Sequence, residues 1–208
     1  MKDTNYWGKQ GKESIISGTG IKAGEALCTH RHMPYLCAQQ PAFMTRILLL
    51  SDTHGHLDAR IVEYAKQADE IWHAGDIGTW RVAETLQQVR PLRAVCGNID
   101  GAELRREFPL DQHFTCEEVP VWITHIGGYP KRYEKRVREG LKEHPCKLFI
   151  CGHSHILKVM YDKDHQLLHM NPGAAGKAGF HQVRTMLRFA IDGDQIKDLE
   201  VIELGKRG

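Results

Sequence analysis

Five apolar runs in this chain end in residue types that bind metal ions. The runs end in the blocks "SDTHGH", "HAGDIG", "CGNID", "THIGG" and "CGHSH", in that order. The candidate ligands in these blocks are carboxylates, one amide and imidazoles: Asp52, His54, Asp76, Asn98, His125, His153 and His155. One such ending is ordinary turn chemistry, because Asp, Asn and Gly all favour turns. Five endings in series, with four imidazoles, predict a metal site.

The ligand set contains oxygen and nitrogen donors and needs no thiolate. Such a set suits Mn, Ni, Fe, Zn or Mg better than a soft-metal or iron–sulfur site. Seven ligands are too many for one tetrahedral ion, but they fit two divalent ions that share a carboxylate. Two ions about 3.5–4 Å apart are a known device for hydrolysing phosphate esters. We expect two divalent metal ions and expect manganese, although the ligand types alone do not choose among these metals.

The spacing of the ligands supports a shared site. Two pairs, Asp52 with His54 and His153 with His155, are separated by one residue just beyond a predicted strand. Both members of such a pair can reach one point as the chain begins to curl. Glycines precede Asp76, Asn98 and His153, and glycine allows close backbone approach and unusual dihedral angles.

The runs that carry these residues alternate with helical patterns. Ile47–Leu50 is continuously aliphatic, as is typical of a strand buried on both faces. The periodicity predicts helices over residues 57–68, 79–89 and 133–144. The first half therefore reads as βαβαβ, and the second half adds mainly strands. This order predicts an α/β fold with two packed sheets and helices outside, with ligands bound at the carboxyl ends of the strands.

Residues 1–43 have no sustained period of 3.6 or 2. We interpret them as a disordered extension or as a misassigned start that precedes a true start at Met44, so that residues 44–208 form the domain. The extension contains Cys28, His30, His32 and Cys37, but their spacing matches none of the common zinc patterns. A chance cluster is the favoured interpretation.

The composition is that of an ordinary soluble globular protein, with 41% apolar and 26% charged residues and a net charge of +2. This balance indicates no specific nucleic-acid or membrane partner. No apolar run is long enough to span a bilayer, and the N-terminus has no apolar core of a secretory signal. Cys96 and Cys151 lie inside apolar runs, which favours reduced thiols and a cytoplasmic location.

The five blocks, as the series D-x-H, GD, GN, H and GHxH, resemble the calcineurin-like metallophosphoesterase superfamily. The isoleucine after Gly97-Asn98 and the segment "NPGAAG" resemble the small bacterial and archaeal phosphodiesterase branch, often called YfcE-type. The resemblance covers Met44 to the C-terminus. It implies a four-layer α/β/β/α sandwich of two mixed sheets and a metal-dependent phosphodiesterase, which is a hydrolase of phosphoric ester bonds.

The resemblance also implies roles for individual residues. Ligands of a first metal would be Asp52, His54 and His155; ligands of a second would be Asn98, His125 and His153; and Asp76 would bridge the two. A metal-bridging water or hydroxide would attack phosphorus, with Asn98 and His125 stabilising the charge that develops. Asn98 and Gly173, in "NPGAAG", would bind the substrate phosphate, although a tight turn alone would explain that segment.

Several positions keep two interpretations. Many superfamily members carry His where this chain has Ile99, so the general acid is open. His56 is a candidate, and a solvent-facing histidine at a helix start is the alternative. His73 either orients a ligand or bonds only to backbone, and Asp100 either caps the next turn or holds Asn98.

The partner predicted is a small phosphate ester whose identity is open. The basic run of Lys131, Arg132, Lys135, Arg136 and Arg138 would steer an anion or would simply be a solvated helix face. The oligomeric state is open and includes a homodimer. The alternative function is a non-catalytic protein-binding scaffold of the same fold, like the retromer subunit; the complete ligand set favours the enzyme.

Overall fold

The computed structural model describes residues 44–208. The predicted extension over residues 1–43, with its Cys and His cluster, lies outside the described residues. In the described part the strands are β1 (Thr45–Leu50), β2 (Glu70–His73), β3 (Leu92–Ala94), β4 (Asp111–Cys116), β5 (Val119–Thr124), β6 (Gly128–Tyr129), β7 (Arg132–Tyr133), β8 (Leu148–Ile150), β9 (Leu157–Asp162), β10 (Leu167–Pro172), β11 (Val183–Asp192) and β12 (Gln195–Lys206). The helices are α1 (Ala59–Gln67), α2 (Trp80–Val89), α3 (Ala102–Glu107) and α4 (Lys135–Glu143).

Ten of these strands form two mixed five-stranded sheets. The first sheet has the order β12-β11-β1-β2-β3, with β1, β2 and β3 parallel and the other neighbours antiparallel. The second has the order β4-β5-β8-β10-β9, with β5, β8 and β10 parallel. Each sheet thus contains three adjacent parallel strands, which end at the same edge of that sheet.

The sheets pack face to face and the helices cover their outer faces. Ile47 and Leu49 of β1 belong to the core between the sheets, which also contains Ile123 and Ile150. The alternate residues of β1 face the other way, into a core shared with α1, α2 and α3. A third core joins α4 to the outer face of the second sheet. These layers confirm the α/β/β/α sandwich. Strand β1 is buried on both faces because its alternate side chains pack into the core between the sheets and into the core beneath the helices.

The helices are slightly shorter than the sequence patterns predict. Helix α1 begins at Ala59 because Asp58 is its N-cap and accepts a hydrogen bond from the Ile61 N–H. Thr79 occupies the N-cap position of α2 without a side-chain cap. Helix α3 and the strands β6, β7 and β10 have no counterpart in the sequence predictions. For α3 the reason is its length, since six residues are too few for a helical period to show.

The described helices include none long and apolar enough to cross a membrane. Four described cysteines are free and buried: Cys96, Cys116, Cys146 and Cys151. Burial raises the pKa of the Cys151 thiol to about 12, so this thiol is an unreactive core group.

Candidate metal centre

The loops that follow β1 and β2 run side by side at the carboxyl edge of the first sheet. Backbone hydrogen bonds join them, from Asp52 N–H to the Gly75 carbonyl (3.0 Å) and from His54 N–H to the Asp76 carbonyl (3.0 Å). The Gly152 N–H, after β8, bonds to the His125 carbonyl (3.0 Å), after β5. Parallel strands therefore deliver the predicted ligands to one place.

Most of the predicted ligands have left-handed backbone conformations. The φ angles are +55° at Asp52, +48° at His54, +55° at Asp76, +65° at His153 and +57° at His155. Asp and His tolerate this region better than most residues. Each such residue costs on the order of 1–3 kcal/mol, and such costs concentrate at functional sites. The turns that aim these side chains are maintained by the packed loops around them.

Asp52, His54 and His155 form the first group of converging ligand atoms, which we call cluster one. His155 Nε2 lies 3.2 Å from Asp52 Oδ1 and 3.2 Å from His54 Nε2. Asp52 is fully buried, and its Oδ2 accepts a hydrogen bond from the His153 N–H (3.1 Å). Cluster one therefore joins the first ligand block to the last.

Asp76, His125 and His153 form cluster two. His125 Nε2 lies 3.2 Å from Asp76 Oδ1 and 3.1 Å from the side-chain oxygen of Asn98. The structure thus brings all seven predicted ligands into two adjoining groups. Asp52 and His54 do reach one point, as their spacing predicts, whereas His153 and His155 face different clusters.

Asp76 lies between the clusters. Its Oδ1 faces His125, and its Oδ2 lies 3.7 Å from His54 Nε2 in cluster one. Burial disfavours the ionised carboxyl, but the hydrogen bond and charge of His125 hold the pKa of Asp76 below its usual value. An ionised carboxylate therefore presents one oxygen to each cluster.

The converging atoms fit a divalent metal ion. His125 Nδ1 lies 2.8 Å from the Ala74 carbonyl, to which it must donate its proton, so the neutral ring has its lone pair at Nε2. That lone pair points at two oxygens, of Asn98 and Asp76, which are also acceptors. Asp52 Oδ1 is buried and has no hydrogen-bond partner among the described residues. Acceptors that face each other without donors need a cation, and these residue types bind divalent metals.

Before any metal is bound, a proton on His125 can supply part of the positive charge that these facing acceptors require. Burial opposes protonation of His125, but the hydrogen bond that its ring donates to Asp76 and the nearby charges of Asp52 and Asp76 raise the pKa of its imidazole above the ordinary value. A metal ion would replace this proton, so metal binding at cluster two weakens as the pH falls.

His73 connects the two loops beneath the clusters. Its Nδ1 accepts from the Gly75 N–H (3.2 Å), and its Nε2 lies 2.9 Å from the Thr53 hydroxyl oxygen. Thr53 in turn donates to the Ile77 carbonyl (3.0 Å). Burial lowers the pKa of His73 to about 4, so its ring is neutral. His73 is thus bonded to backbone and to a neighbour of the ligand Asp52, and is itself in neither cluster.

Asp100 holds the loop after β3 against the loop after β2. Its buried carboxylate accepts from the backbone N–H groups of Gly97 (2.7 Å), Gly78 (2.7 Å) and Ile77 (3.2 Å). The N-cap of α3 is Gly101. The capping interpretation of Asp100 is therefore wrong, because its carboxylate joins two loops that carry ligands.

Glycine is required where these loops touch. A Cβ at Gly97 would lie 2.0 Å from Asp76 Oδ1, and one at Gly152 would lie 2.0 Å from the Ser51 hydroxyl oxygen. Neither contact can be relieved without moving a ligand-bearing loop. The close backbone approach predicted from these glycines is present.

Two predicted site residues lie elsewhere. His56 Nε2 lies 3.7 Å from Asp58 Oδ2 at the start of α1 and is in neither cluster. Gly173 is buried, and its N–H donates to the Asn171 side chain (3.0 Å), so this N–H is not free for a substrate phosphate. The substrate-binding role of Gly173 therefore stays a prediction, which the occupied N–H does not support. The "NPGAAG" segment instead holds the first loop, through the N–H groups of Ala175 and Gly176.

One residue beside the clusters had no predicted role. His181 Nδ1 lies 3.2 Å from Nδ1 of His155. Burial, with the charges of His155 and Arg207, lowers the pKa of His181, although its bond to Gly176 opposes this. The sequence offers no signal for this contact, because 26 residues and two strands separate the rings.

Two cavities open beside the clusters. One has a volume of about 410 Å³ and is lined by Asn98 and His125 together with Arg105, Lys135 and Arg136. The other has about 450 Å³ and is lined by the ligands His153 and His155. Its other walls include the exposed side chains of Ile156 and Phe180. Two members of the basic run, Lys135 and Arg136, therefore line the same cavity as two predicted ligands, while both side chains also remain exposed.

Comparison with known proteins agrees with this arrangement. Residues 45–194 match the sequence model of the "Calcineurin-like phosphoesterase superfamily domain". A "Probable metallophosphoesterase" of Methanothermobacter thermautotrophicus is 26% identical over 162 residues, which cover 76% of this chain and 91% of that protein.

Solved structures show the same fold. Vacuolar protein sorting 29 of Cryptosporidium parvum superposes with a TM-score of 0.63 at 18% identity, over 79% of this chain and all of that chain. A structure described as a novel archaeal phosphodiesterase gives a TM-score of 0.60 at 19% identity, over 77% of this chain and all of that chain. These identities are low, so both likenesses speak for the fold alone.

Proposed function

This chain belongs to the calcineurin-like phosphoesterase superfamily, and from that premise we propose that it is a phosphodiesterase with a two-metal centre. The observation that carries the proposal is Asp76, whose two oxygens face different clusters. Each cluster adds two imidazoles, and cluster two adds the Asn98 oxygen. Such a set is complete for two ions that share one carboxylate.

The residues of each cluster would hold one ion, with Asn98 in the second. Divalent ions bound there would supply an acidified water as nucleophile and would neutralise the phosphoryl oxygens. We propose manganese as the metal to test first, as one of the ions (Mn, Ni, Fe, Zn and Mg) that suit a donor set of carboxylate, amide and imidazole without thiolate. The exposed Asn98 amide stands at the edge of cluster two, where its N–H₂ group can donate to a phosphoryl oxygen.

The two cavities favour a diester over a monoester. A diester carries a group on each side of phosphorus, and one cavity adjoins each side of the metal centre. In the cavity beside His125 three cationic side chains outnumber the single acidic Glu134, a balance that attracts a phosphate ester. The other cavity combines imidazoles with the apolar side chains of Ile156 and Phe180. A monoester would use only one of them.

The proposed partner is therefore a small phosphate ester in the cytoplasm. Reduced and buried cysteines support that location, since secreted domains tend to pair their thiols. The general acid stays open: His56 remains a prediction, and its Nε2 faces Asp58 rather than either cluster.

The decisive experiment compares hydrolysis of bis(p-nitrophenyl) phosphate by the parent and by the Asp76→Asn variant, each with added Mn²⁺. The variant removes the charge shared by the clusters, so we expect kcat to fall on the order of 10³-fold, which is about 4 kcal/mol. Asp164→Asn, at an exposed turn, is the matched control and should keep the parent rate. Equal rates in the parent and in Asp76→Asn would refute the proposal that this chain is a two-metal enzyme.

Substrate class is tested with the same proteins. The parent should hydrolyse bis(p-nitrophenyl) phosphate with a higher kcat/KM than p-nitrophenyl phosphate. A preference for the monoester would refute the proposed diester specificity, and the chain would then be a phosphoesterase of another substrate class.

A protein-binding scaffold is the second candidate. What brings it forward is that vacuolar protein sorting 29 of Cryptosporidium parvum has the same fold, over 79% of this chain and all of that chain. The exposed side chains of Ile156 and Phe180 beside cluster one could equally contact a protein. Metal binding without hydrolysis of any phosphate ester would support this alternative.

A further inference from the structure

The ring of His181 lies between a candidate metal ligand and a backbone carbonyl. Its Nε2 lies 3.1 Å from the Gly176 carbonyl oxygen, and its Nδ1 lies 3.2 Å from Nδ1 of His155. A carbonyl oxygen only accepts, so His181 donates through Nε2. A neutral ring that carries its proton there has a lone pair at Nδ1. This lone pair accepts the Nδ1 proton of His155.

The bond determines which nitrogen of His155 is available to a metal. With its proton at Nδ1, His155 has its lone pair at Nε2, the atom that lies 3.2 Å from Asp52 Oδ1 and from His54 Nε2. We propose that His181 is a positioning residue that selects the metal-binding tautomer of His155 and fixes its ring toward cluster one. The inference rests on the proposed function only in giving cluster one a metal.

The same segment also fixes the other side of cluster one. The Gly176 N–H donates to the Asp52 carbonyl (3.0 Å), while the Gly176 carbonyl accepts from His181. A Cβ at Gly179 would lie 2.2 Å from His155 Nδ1, so the segment packs directly on that ring. One short stretch of chain thus contacts both the backbone of Asp52 and the imidazole of His155 and fixes their relative positions.

Cluster two has no need of such a side chain. His125 donates its Nδ1 proton to the Ala74 carbonyl, a backbone group beside strand β2. Substitution of His181 should therefore weaken one metal site and spare the other. That selectivity separates a positioning role from a general loss of structure.

The test is titration of the metal-free full-length chain with Mn²⁺ by calorimetry. In the parent we expect two binding steps. His181→Ala should weaken one step by about 10–100-fold, the usual effect of removing the partner of a metal-bound histidine. His181→Asn should restore most of the affinity, because its amide oxygen can take the place of the Nδ1 lone pair. Gln182→Ala, at an exposed neighbour, should leave both steps unchanged.

A second measurement needs no variant. Long-range ¹H–¹⁵N spectra of the metal-free parent should show His155 protonated at Nδ1 and not at Nε2. The positioning role would be overturned if His155 were protonated at Nε2, or if His181→Ala bound Mn²⁺ in the same two steps as the parent. Hydrolysis of the diester by the parent would in that case still support the phosphodiesterase. A parent that binds none of Mn²⁺, Ni²⁺, Fe²⁺, Zn²⁺ and Mg²⁺ would overturn both.

Discussion

The two clusters use the same ligand types but are held by different parts of the fold. In cluster two, His125 is almost fully buried and bonds to the carbonyl of Ala74 at the end of β2. In cluster one, His155 is more exposed and bonds to the side chain of His181. A backbone carbonyl at a strand end cannot be removed by substitution, whereas a histidine on a loop can. Similar chemistry can therefore depend on the core in one half of a site and on a loop in the other.

The largest expected effect comes from removing one ligand of each cluster. His125→Ala and His155→Ala should each lower phosphodiester hydrolysis on the order of 10³-fold, because both ions are needed. Their stabilities should differ. His125→Ala removes the shorter of two hydrogen bonds to the buried Ala74 carbonyl, which keeps only the Ser51 hydroxyl (3.2 Å), and empties a buried site, so it should cost about 2 kcal/mol in metal-free protein. His155→Ala should cost less than about 1 kcal/mol. Kinetics with Mn²⁺ and urea unfolding with a chelator measure the two quantities.

Equal losses of stability in the two variants would contradict the inference that His125 is held by the core and His155 by a loop. Asp164→Asn again serves as the control for both measurements. If only one of the two variants lost activity, a single ion would suffice for hydrolysis, and cluster two or cluster one would be dispensable.

The next effect concerns His73, which supports the loops of both clusters. Its folded pKa is about 4, and its unfolded pKa is near the ordinary 6.5. Between these values the unfolded chain binds a proton that the folded protein does not, so stability falls as the pH falls, by about 1.4 kcal/mol per unit and roughly 3 kcal/mol in all. His73→Gln, whose amide can both accept from Gly75 and donate to Thr53, should lose less stability over this range.

Unfolding of metal-free protein by urea between pH 7.5 and 4.5 measures this difference. His169→Leu is a useful companion, because burial also lowers the pKa of His169 to about 4 and its ring nitrogens have no hydrogen-bond partner in the described part of the chain. It should flatten the same slope without affecting metal binding. Parallel stability curves for parent and His73→Gln would show that His73 titrates normally in the folded state.

The positions of the ligands could be predicted because chemistry and turn preference coincide in them. Asp52, Asp76 and His153 follow apolar strands, and the glycines beside them mark where loops must touch. What the sequence could not show is how the loops pack. His153 and His155 face different clusters, whereas Asp52 and His54, with the same spacing and the same left-handed backbone, share one. Gly173 looked like a phosphate-binding turn, but its N–H is used by Asn171, a residue of the unpredicted strand β10.

The smallest expected effect tests which cluster faces the leaving group. Ile99 is 47% exposed beside cluster two, and its N–H donates to Asp76 Oδ1 (3.1 Å). Many superfamily members carry a histidine at this position, where it can protonate the departing oxygen. Ile99→His should speed hydrolysis of diesters with poor, alkyl leaving groups about 2–10-fold, well below the 10²–10⁴ of an evolved general acid. It should not change bis(p-nitrophenyl) phosphate hydrolysis, because that leaving group needs no proton. Ile99→Phe supplies the ring without the proton and should give no gain. A gain in both variants would indicate packing against the substrate, and no gain in either would mean that the leaving group departs on the side of cluster one.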